Sequence, residues 1–240
     1  MKKFLAAILA VSIVFGAGTI VPDSADHKSM QACASSEYTE GTYEFLKYKN
    51  YGDYIEISYC SILAEEVVIP SELDGVPVTV IGDSSFWNCK SLTSVIIPDS
   101  VVSIDNGVFW GCENMAYVIV PESVANIGNS AFEAFKGTIY GFAGSTAQEF
   151  AEKKGYKFSI LTLGDVDGDG AKNSSDASLV LREYALIATG EAPTFSESQK
   201  ISADVNFDGA VDSSDASVIL AYYAYTSTGG TENINNFMKK

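Results

Sequence analysis

Between residues 64 and 142, the chain repeats one pattern of apolar side chains with a period of 23 residues. Each unit also carries a short apolar segment, such as "LTSVIIP" or "MAYVIVP". A period in the twenties with one short strand per unit predicts a solenoid of stacked coils. The repeating positions form three columns: Ile81, Ile104 and Ile127; Phe86, Phe109 and Phe132; Cys89, Cys112 and Phe135.

An earlier unit, "AEEVVIP", begins at Ala64, and its five extra residues fall in the turn "ELDGV", where repeat proteins accept insertions. The segments "IIPDSVVSIDNGVFWGC" and "VPESVANIGNSAF" resemble the bacterial surface-protein class of leucine-rich repeats. The resemblance covers roughly residues 38–163. It implies a binding surface rather than an active site, and it implies that Cys89 and Cys112 are small apolar side chains in the core. A disulfide between these two cysteines stays open.

Both ends of such a solenoid need a cover, because an open coil exposes its core and its strand edges. The alternating segment "TYEFLKYKNYGDYIEISYC" predicts a β-hairpin at the amino-terminal end. At the other end, Ser145 and Gln148 form the pattern of a capping box. The helix that follows should present Ala147, Phe150 and Ala151 to the last coil and end at Gly155.

The outward-facing strand positions of successive coils carry apolar side chains where solvent is expected. An apolar patch of this kind often marks a partner site. The sequence therefore predicts a ligand-binding ladder, and the alternative is that a loop or the neighbouring module covers it. The predicted contact residues are Val68, Ile96, Tyr117, Ile119 and Phe142.

Two acidic segments, "DVDGDGAKNSSD" from Asp165 and "DVNFDGAVDSSD" from Asp204, share one pattern. In an EF-hand calcium loop, oxygen ligands occupy places 1, 3, 5, 7, 9 and 12, with the backbone carbonyl at place 7 and glycine at place 6. The pattern predicts two Ca²⁺ ions. The first set of ligands is Asp165, Asp167, Asp169, Ala171, Asn173 and Asp176, and the second set is Asp204, Asn206, Asp208, Ala210, Asp212 and Asp215.

A helical segment follows each loop, "ASLVLREYALIATG" and "ASVILAYYAY", whereas the extended segment "FSILTLG" precedes the first loop. Aspartate closes each loop where an EF-hand places glutamate. Two such loop–helix units resemble a dockerin, from Gly164 to about Thr228. The resemblance implies a small all-α module that binds calcium and attaches a secreted protein to a cohesin domain of a scaffoldin in cellulosome-forming bacteria.

In the dockerin family, a hydroxyl pair at loop places ten and eleven contacts the cohesin, and the two units can act as alternative binding faces. The first helix also has more apolar side chains than a module of about 65 residues can bury, so part of it should face another protein. The copies differ where Arg182, Glu183 and Leu186 are matched by Ala221, Tyr222 and Tyr225, which predicts that one helix dominates. Alternatively, the differing residues face solvent or the other helix. The predicted cohesin contacts are Ser174, Ser175, Leu181, Arg182, Leu186, Ser213, Ser214, Leu220, Ala221 and Tyr225.

The first residues, "MKKFLAAILAVSIVFGAGTIV", indicate a secretory signal peptide that ends near "ACA" at residues 32–34. A membrane anchor and a lipid on Cys33 are the alternatives. Cleavage would remove Cys33 and the only histidine, His27, so the mature chain would have no Ser-His or Cys-His dyad. Three cysteines would remain, an odd number that argues against a disulfide framework.

The expected fold is α+β, with a signal peptide at 1–34, a capped leucine-rich repeat solenoid at 35–162, a dockerin at 163–230 and a tail at 231–240. The formal net charge of −16 argues against binding nucleic acid. The expected function is a secreted, non-enzymatic adaptor that binds a cohesin and an unidentified protein or surface ligand, with no membrane attachment after signal cleavage. The alternatives are a carbohydrate-active enzyme subunit with an unrecognised active site, and an adhesin.

Overall fold

An antiparallel hairpin covers the amino-terminal end of the solenoid. The computed structural model describes residues 38–238, so the predicted signal peptide lies outside the described residues. The side chains of Leu46 and Ile57 are buried, and polar neighbours alternate with them along the strands. The predicted hairpin is confirmed, and a further antiparallel strand precedes it. The three strands are β1 (Thr39–Tyr43), β2 (Leu46–Asn50) and β3 (Ile55–Cys60).

The solenoid consists of two sheets whose repeated strands run parallel. Ile81, Ile104 and Ile127 pair across neighbouring strands, as the period of 23 predicts. One sheet has the order β1-β2-β3-β6-β8-β10, with β5 beside β6, and the other has the order β12-β11-β9-β7-β4. The strands are β4 (Glu66–Val68), β5 (Glu72–Leu73), β6 (Val76–Ile81), β7 (Ser94–Ile96), β8 (Ser103–Ile104), β9 (Tyr117–Ile119), β10 (Asn126–Ile127), β11 (Thr138–Gly141) and β12 (Lys157–Ile160).

The solenoid core is a column of stacked rings. The centroids of Phe86 and Phe109 lie 5.3 Å apart, and those of Phe109 and Phe132 lie 5.1 Å apart. Cys89 and Cys112 are buried beside this column, and both are free thiols. Their predicted place as small apolar side chains in the core is therefore confirmed.

The last coil is shorter than the sequence pattern indicates. Ile119 of β9 pairs with Tyr140 of β11, two residues before the predicted partner Phe142. The prediction was wrong because it continued the period of 23 through the turn before β11. Phe142 instead follows β11 and is half-buried.

Helix α1 (Thr146–Lys154) covers the carboxyl-terminal end of the solenoid. The hydroxyl of Ser145 accepts from the N–H of Gln148 at 3.3 Å, while the Gln148 side chain accepts from the N–H of Gly144 at 2.8 Å. The second bond of the predicted capping box is thus shifted by one residue. The three predicted inward side chains are buried, and Gly155 ends the helix with φ of 76°.

The remaining chain forms a small helical module. Helices α2 and α4 pack against each other, with the two acidic loops at their amino ends. Ile234 is buried in the module core, so the segment expected to be a tail instead packs against it. None of the helices described between residues 38 and 238 is both long and apolar enough to span a membrane. The helices are α2 (Ser174–Thr189), α3 (Glu197–Ala203), α4 (Ser213–Ser227) and α5 (Ile234–Met238).

Candidate metal and docking site

The first acidic loop brings three carboxylates together. Oxygens of Asp165, Asp167 and Asp169 all lie within 4.8 Å of one another. Asp165 is buried; its Oδ2 accepts from the N–H of Gly170 at 3.1 Å, but its Oδ1 has no hydrogen-bond partner among the described residues. A buried, unsatisfied carboxylate oxygen is costly. Because a hard cation coordinates such oxygens, the loop fits Ca²⁺.

The last predicted ligand of this loop also holds the loop in shape. Asp176 is fully buried, and its Oδ1 accepts from the N–H of Val166 at 2.8 Å. Its Oδ2 accepts from the N–H of Asn173 at 2.9 Å. Asn173 caps α2 by accepting from the N–H of Ser175 at 2.6 Å. These bonds tie both ends of the loop to the first turn of the helix, and Ala171 lies exposed between them.

The second loop repeats this backbone arrangement with a different set of side chains. Asp215 accepts from the N–H groups of Val205 and Asp212, each at 3.0 Å, as Asp176 does in the first loop. Asp204 accepts from the N–H groups of Asp208 and Gly209. At place 3, the amide of Asn206 donates to Asp208 Oδ2 at 2.8 Å, so the amide oxygen is the candidate ligand there. Asp212 caps α4 in the position of Asn173, and Ala210 is exposed.

The electrostatics of the second loop also favour a cation. Burial, together with the nearby charges of Asp215 and Asp208, raises the pKa of Asp204 to about 7. Burial likewise raises the pKa of Asp215 to about 6. Positive charge nearby would lower both pKa values and so favour the ionised carboxylates. A divalent cation supplies that charge.

The predicted cohesin contacts lie on the outer faces of α2 and α4. The serine pairs Ser174–Ser175 and Ser213–Ser214 are exposed, and so are Arg182 and Ala221. Leu181 and Leu220, which occupy equivalent places, are each 43% exposed. Leu186 is half-buried. Tyr225 is also half-buried, and its ring packs against Phe237 with a centroid distance of 5.2 Å. Tyr225 therefore packs within the module rather than forming part of an exposed contact surface.

Three exposed apolar residues extend this surface and were not among the predicted contacts. Tyr184 and Ile187 continue the exposed strip on α2, and Tyr223 continues that on α4. Tyr184 and Tyr223 are 39 residues apart, the same spacing as Asp165 and Asp204. That spacing is the sequence signal that could have identified them.

The difference between Glu183 and Tyr222 does not belong to the docking surface. Glu183 is only 1% exposed, and its carboxylate binds the segment after α2. Tyr222 packs in the module core and donates its hydroxyl to the carbonyl of Glu232 at 3.0 Å. This pair therefore gives no support to an asymmetry in cohesin binding, and the predicted dominance of one helix rests on the other two differences.

The ladder on the solenoid is covered rather than exposed. Ile96 is 8% exposed and Ile119 is 2% exposed, because both pack in one cluster with Leu161 and Leu163 and the helical module. Val68, at the edge, is 38% exposed. The expectation of a solvent-facing ligand surface is thus wrong, and the alternative of a covering module holds. Tyr117 and Phe142 are half-buried against the same cluster.

Two family models match the chain. The BspA type leucine rich repeat region matches residues 58–148 in six copies, and the dockerin type I domain matches residues 163–222. Both are non-catalytic modules, and type I dockerin domains bind calcium. No curated protein matches the chain significantly.

Among solved structures, a leucine rich cell surface protein from Faecalibacterium prausnitzii A2-165 is 28% identical, with a TM-score of 0.40, over 45% of this chain and 31% of that one. The leucine rich repeat protein of T. pallidum is 21% identical, with a TM-score of 0.30, over 42% and 71%. A leucine-rich repeat protein from Bacteroides capillosus ATCC 29799 is 20% identical, with a TM-score of 0.35, over 43% and 99%. The chain thus spans less than a third of the length of the Faecalibacterium protein. By the family matches, residues 58–148 belong to the BspA type leucine rich repeats and residues 163–222 to the type I dockerins.

Proposed function

We propose that this protein is a secreted, non-catalytic component of a cellulosome, held on a scaffoldin by calcium-dependent binding of its dockerin to a cohesin. The observation that carries this proposal is the coincidence of two features in one module. Both acidic loops have the ligand pattern of a cation site, with three carboxylates of the first loop close together, and the serine pair at the end of each loop is exposed on a helix with an apolar strip.

The proposed calcium complement is two ions, one for each loop. In the first loop, Asp165, Asp167 and Asp169 would bind the ion together with Asn173, the Ala171 carbonyl and Asp176. In the second loop, Asp204, Asn206 and Asp208 would bind it with Asp212, the Ala210 carbonyl and Asp215. The unpartnered Oδ1 of Asp165 and the raised pKa of Asp204 support this assignment. Each ion neutralises carboxylates that otherwise repel one another.

The proposed chain organisation follows from these parts. Residues 1–34 are a signal peptide that directs the chain out of the cell, residues 35–162 are the capped solenoid, and the dockerin extends from residue 163 to about residue 230. The last helix follows the dockerin and packs against it through the buried Ile234. The solenoid binds a protein or surface ligand through a face other than the covered ladder.

Cohesin binding is tested by titrating the full mature chain with recombinant type I cohesins, in calcium and in chelator. We expect binding with one cohesin per chain in calcium and none in chelator. The control variant Glu149→Gln changes an exposed carboxylate on α1 of the solenoid, so it should bind as the wild type does. Absence of binding to every cohesin tested would contradict the proposal. An activity screen on plant polysaccharides tests the enzyme alternative, and we expect no hydrolysis.

A further inference from the structure

The two calcium loops differ at their fourth place in a way that calcium binding does not require. The first loop has Gly168 there with φ of 77°, and the second has Phe207 with φ of 58°. A bulky side chain is disfavoured in this left-handed region, whereas glycine adopts it freely. The first loop therefore serves as a comparison for the second. Because Phe207 occupies a position that suits glycine, its side chain should have a role of its own.

The side chain of Phe207 lies where the helical module meets the solenoid. It packs against the apolar cluster that contains Ile96 and Ile119. It also lines a groove of about 590 Å³ together with Asp99, which follows β7 in the solenoid. The packing of an aromatic ring against this cluster offsets the unfavourable backbone conformation.

Gly209 of the second loop also lies against the solenoid. A methyl group built on Gly209 would lie 2.8 Å from Cγ2 of Val68 on β4. The equivalent Gly170 of the first loop has open space at that position. The second loop therefore meets the solenoid sheet at Gly209, whereas the first loop has no such neighbour at Gly170.

Charge complementarity adds to this contact. Lys200 on α3 is near Glu66 and Tyr117 of the solenoid strands. Its pKa is raised first by a hydrogen bond to Glu197 and then also by the charges of these two solenoid residues. Lys200 of the helical module thus lies within electrostatic reach of Glu66 on the solenoid.

We propose that the strip formed by Val68, Ile96 and Ile119 is a docking surface for this chain's own second calcium loop, and that Phe207 is the residue that specifies this contact. The solenoid and the dockerin then behave as one rigid body, which leaves the first loop and α2 free for a partner. Calcium in the second loop would hold Phe207 and Gly209 against the sheet. Only this last point rests on the proposed calcium binding.

The test uses the full mature chain in calcium, with the isoleucine methyl groups labelled with ¹³C. The variant Phe207→Gly restores the sequence of the first loop at place 4, so it relieves backbone strain while it removes the ring. We expect the methyl resonances of Ile96 and Ile119 to shift, and a soluble paramagnetic agent to broaden them more. The control Ile187→Ala truncates an exposed side chain on α2 and should leave both resonances in place. Unchanged Ile96 and Ile119 signals in Phe207→Gly would overturn the proposal.

A second variant covers the case in which Phe207→Gly weakens calcium binding. Val68→Glu places a charge against Gly209 from the solenoid side and touches no calcium ligand. We expect the same methyl shifts, with two calcium ions still bound in a calorimetric titration. If Val68→Glu leaves the Ile96 and Ile119 methyl groups unchanged, the proposal is overturned. These readouts need no cohesin, so failure here leaves the proposed function standing, while failure to bind cohesin leaves this contact standing.

Discussion

The hydroxyl of Thr194 donates to the carboxylate of Glu183 at 2.6 Å, across eleven residues of sequence. The N–H groups of Thr194 and Phe195 donate to the same carboxylate at 2.7 and 3.0 Å. Glu183 thereby fixes the end of the segment that leads from α2 to α3. Its position orients α3 and, through it, Lys200 beside the solenoid.

Replacing Glu183 by Gln should destabilise the protein, and the loss should depend on pH. Burial alone would raise the pKa of Glu183, but the hydrogen bonds from Thr194 and Phe195 lower it below its ordinary value. The stabilisation by Glu183 is therefore complete above the unfolded pKa of about 4.3 and is lost as pH falls through the folded pKa. We expect a loss of about 1–3 kcal/mol near neutral pH that shrinks toward acid. Denaturation at several pH values measures it.

The control for this measurement is Glu149→Gln, which changes an exposed carboxylate on α1. Its free energy of unfolding should follow that of the wild type at every pH. If Glu183→Gln lowers the free energy of unfolding equally at neutral and acidic pH, the side chain stabilises the segment by packing and not by its charge.

Calcium removal should unfold the helical module. The clustered carboxylates repel one another without a cation, so metal binding and folding are expected to be one event. Circular dichroism of the full chain should show less helix in chelator, and Asp165→Ala with Asp204→Ala should show the same loss in calcium. The matched variant Asp53→Ala, at an exposed turn of the hairpin, should not. Helicity that is unaffected by chelator would refute this coupling.

The serine pair of the first loop should dominate cohesin binding. Helix α4 lines the groove beside Asp99 through Ala221, so the solenoid lies close to that helix. No residue of helix α2 lines that groove. Helix α2 also exposes a longer apolar strip than α4 does. Aspartates at Ser174 and Ser175 should therefore weaken binding by roughly 2–5 kcal/mol, because they add charge to a desolvated contact. Calorimetry with a cohesin and calcium measures this loss.

Aspartates at Ser213 and Ser214 are the matched comparison, and they should change the affinity little. If each pair is silent alone and only the combination abolishes binding, both faces are used equally. That result would refute the asymmetry argued from the groove.

The buried ladder makes a clear stability prediction. Ile119→Ala should lower the free energy of unfolding by about 2–5 kcal/mol, because it leaves a cavity in a packed cluster. Val68→Ala, in the same register but more exposed, should cost clearly less. Ile119→Lys should be poorly folded, since it buries an unpaired charge. Urea denaturation compares the three variants. Similar small losses for Ile119→Ala and Val68→Ala would mean that the helical module leaves the sheet in solution.

Much of the fold can be predicted from the sequence because the solenoid repeats at a regular spacing. The column Ile81, Ile104 and Ile127 aligns in sequence and pairs in the sheet, since equal spacing places equivalent residues in adjacent coils. The position of Phe142 was not readable in this way. A loop of two fewer residues changes the register without changing the apolar pattern, and only the pairing of Ile119 with Tyr140 shows it.

The two loop–helix units and the solenoid can be predicted from the amino-acid sequence alone, because each depends on residues close in the chain or on a fixed period. Alternate aspartates with Gly170 specify a calcium loop wherever the loop lies. The tertiary structure decided what covers each surface. An apolar side chain such as Ile119 indicates that water is to be excluded, but it does not identify the neighbour that excludes it. The helical module supplies that neighbour, because it folds back onto the sheet and brings Gly209 close to Val68, about 140 positions earlier in the chain.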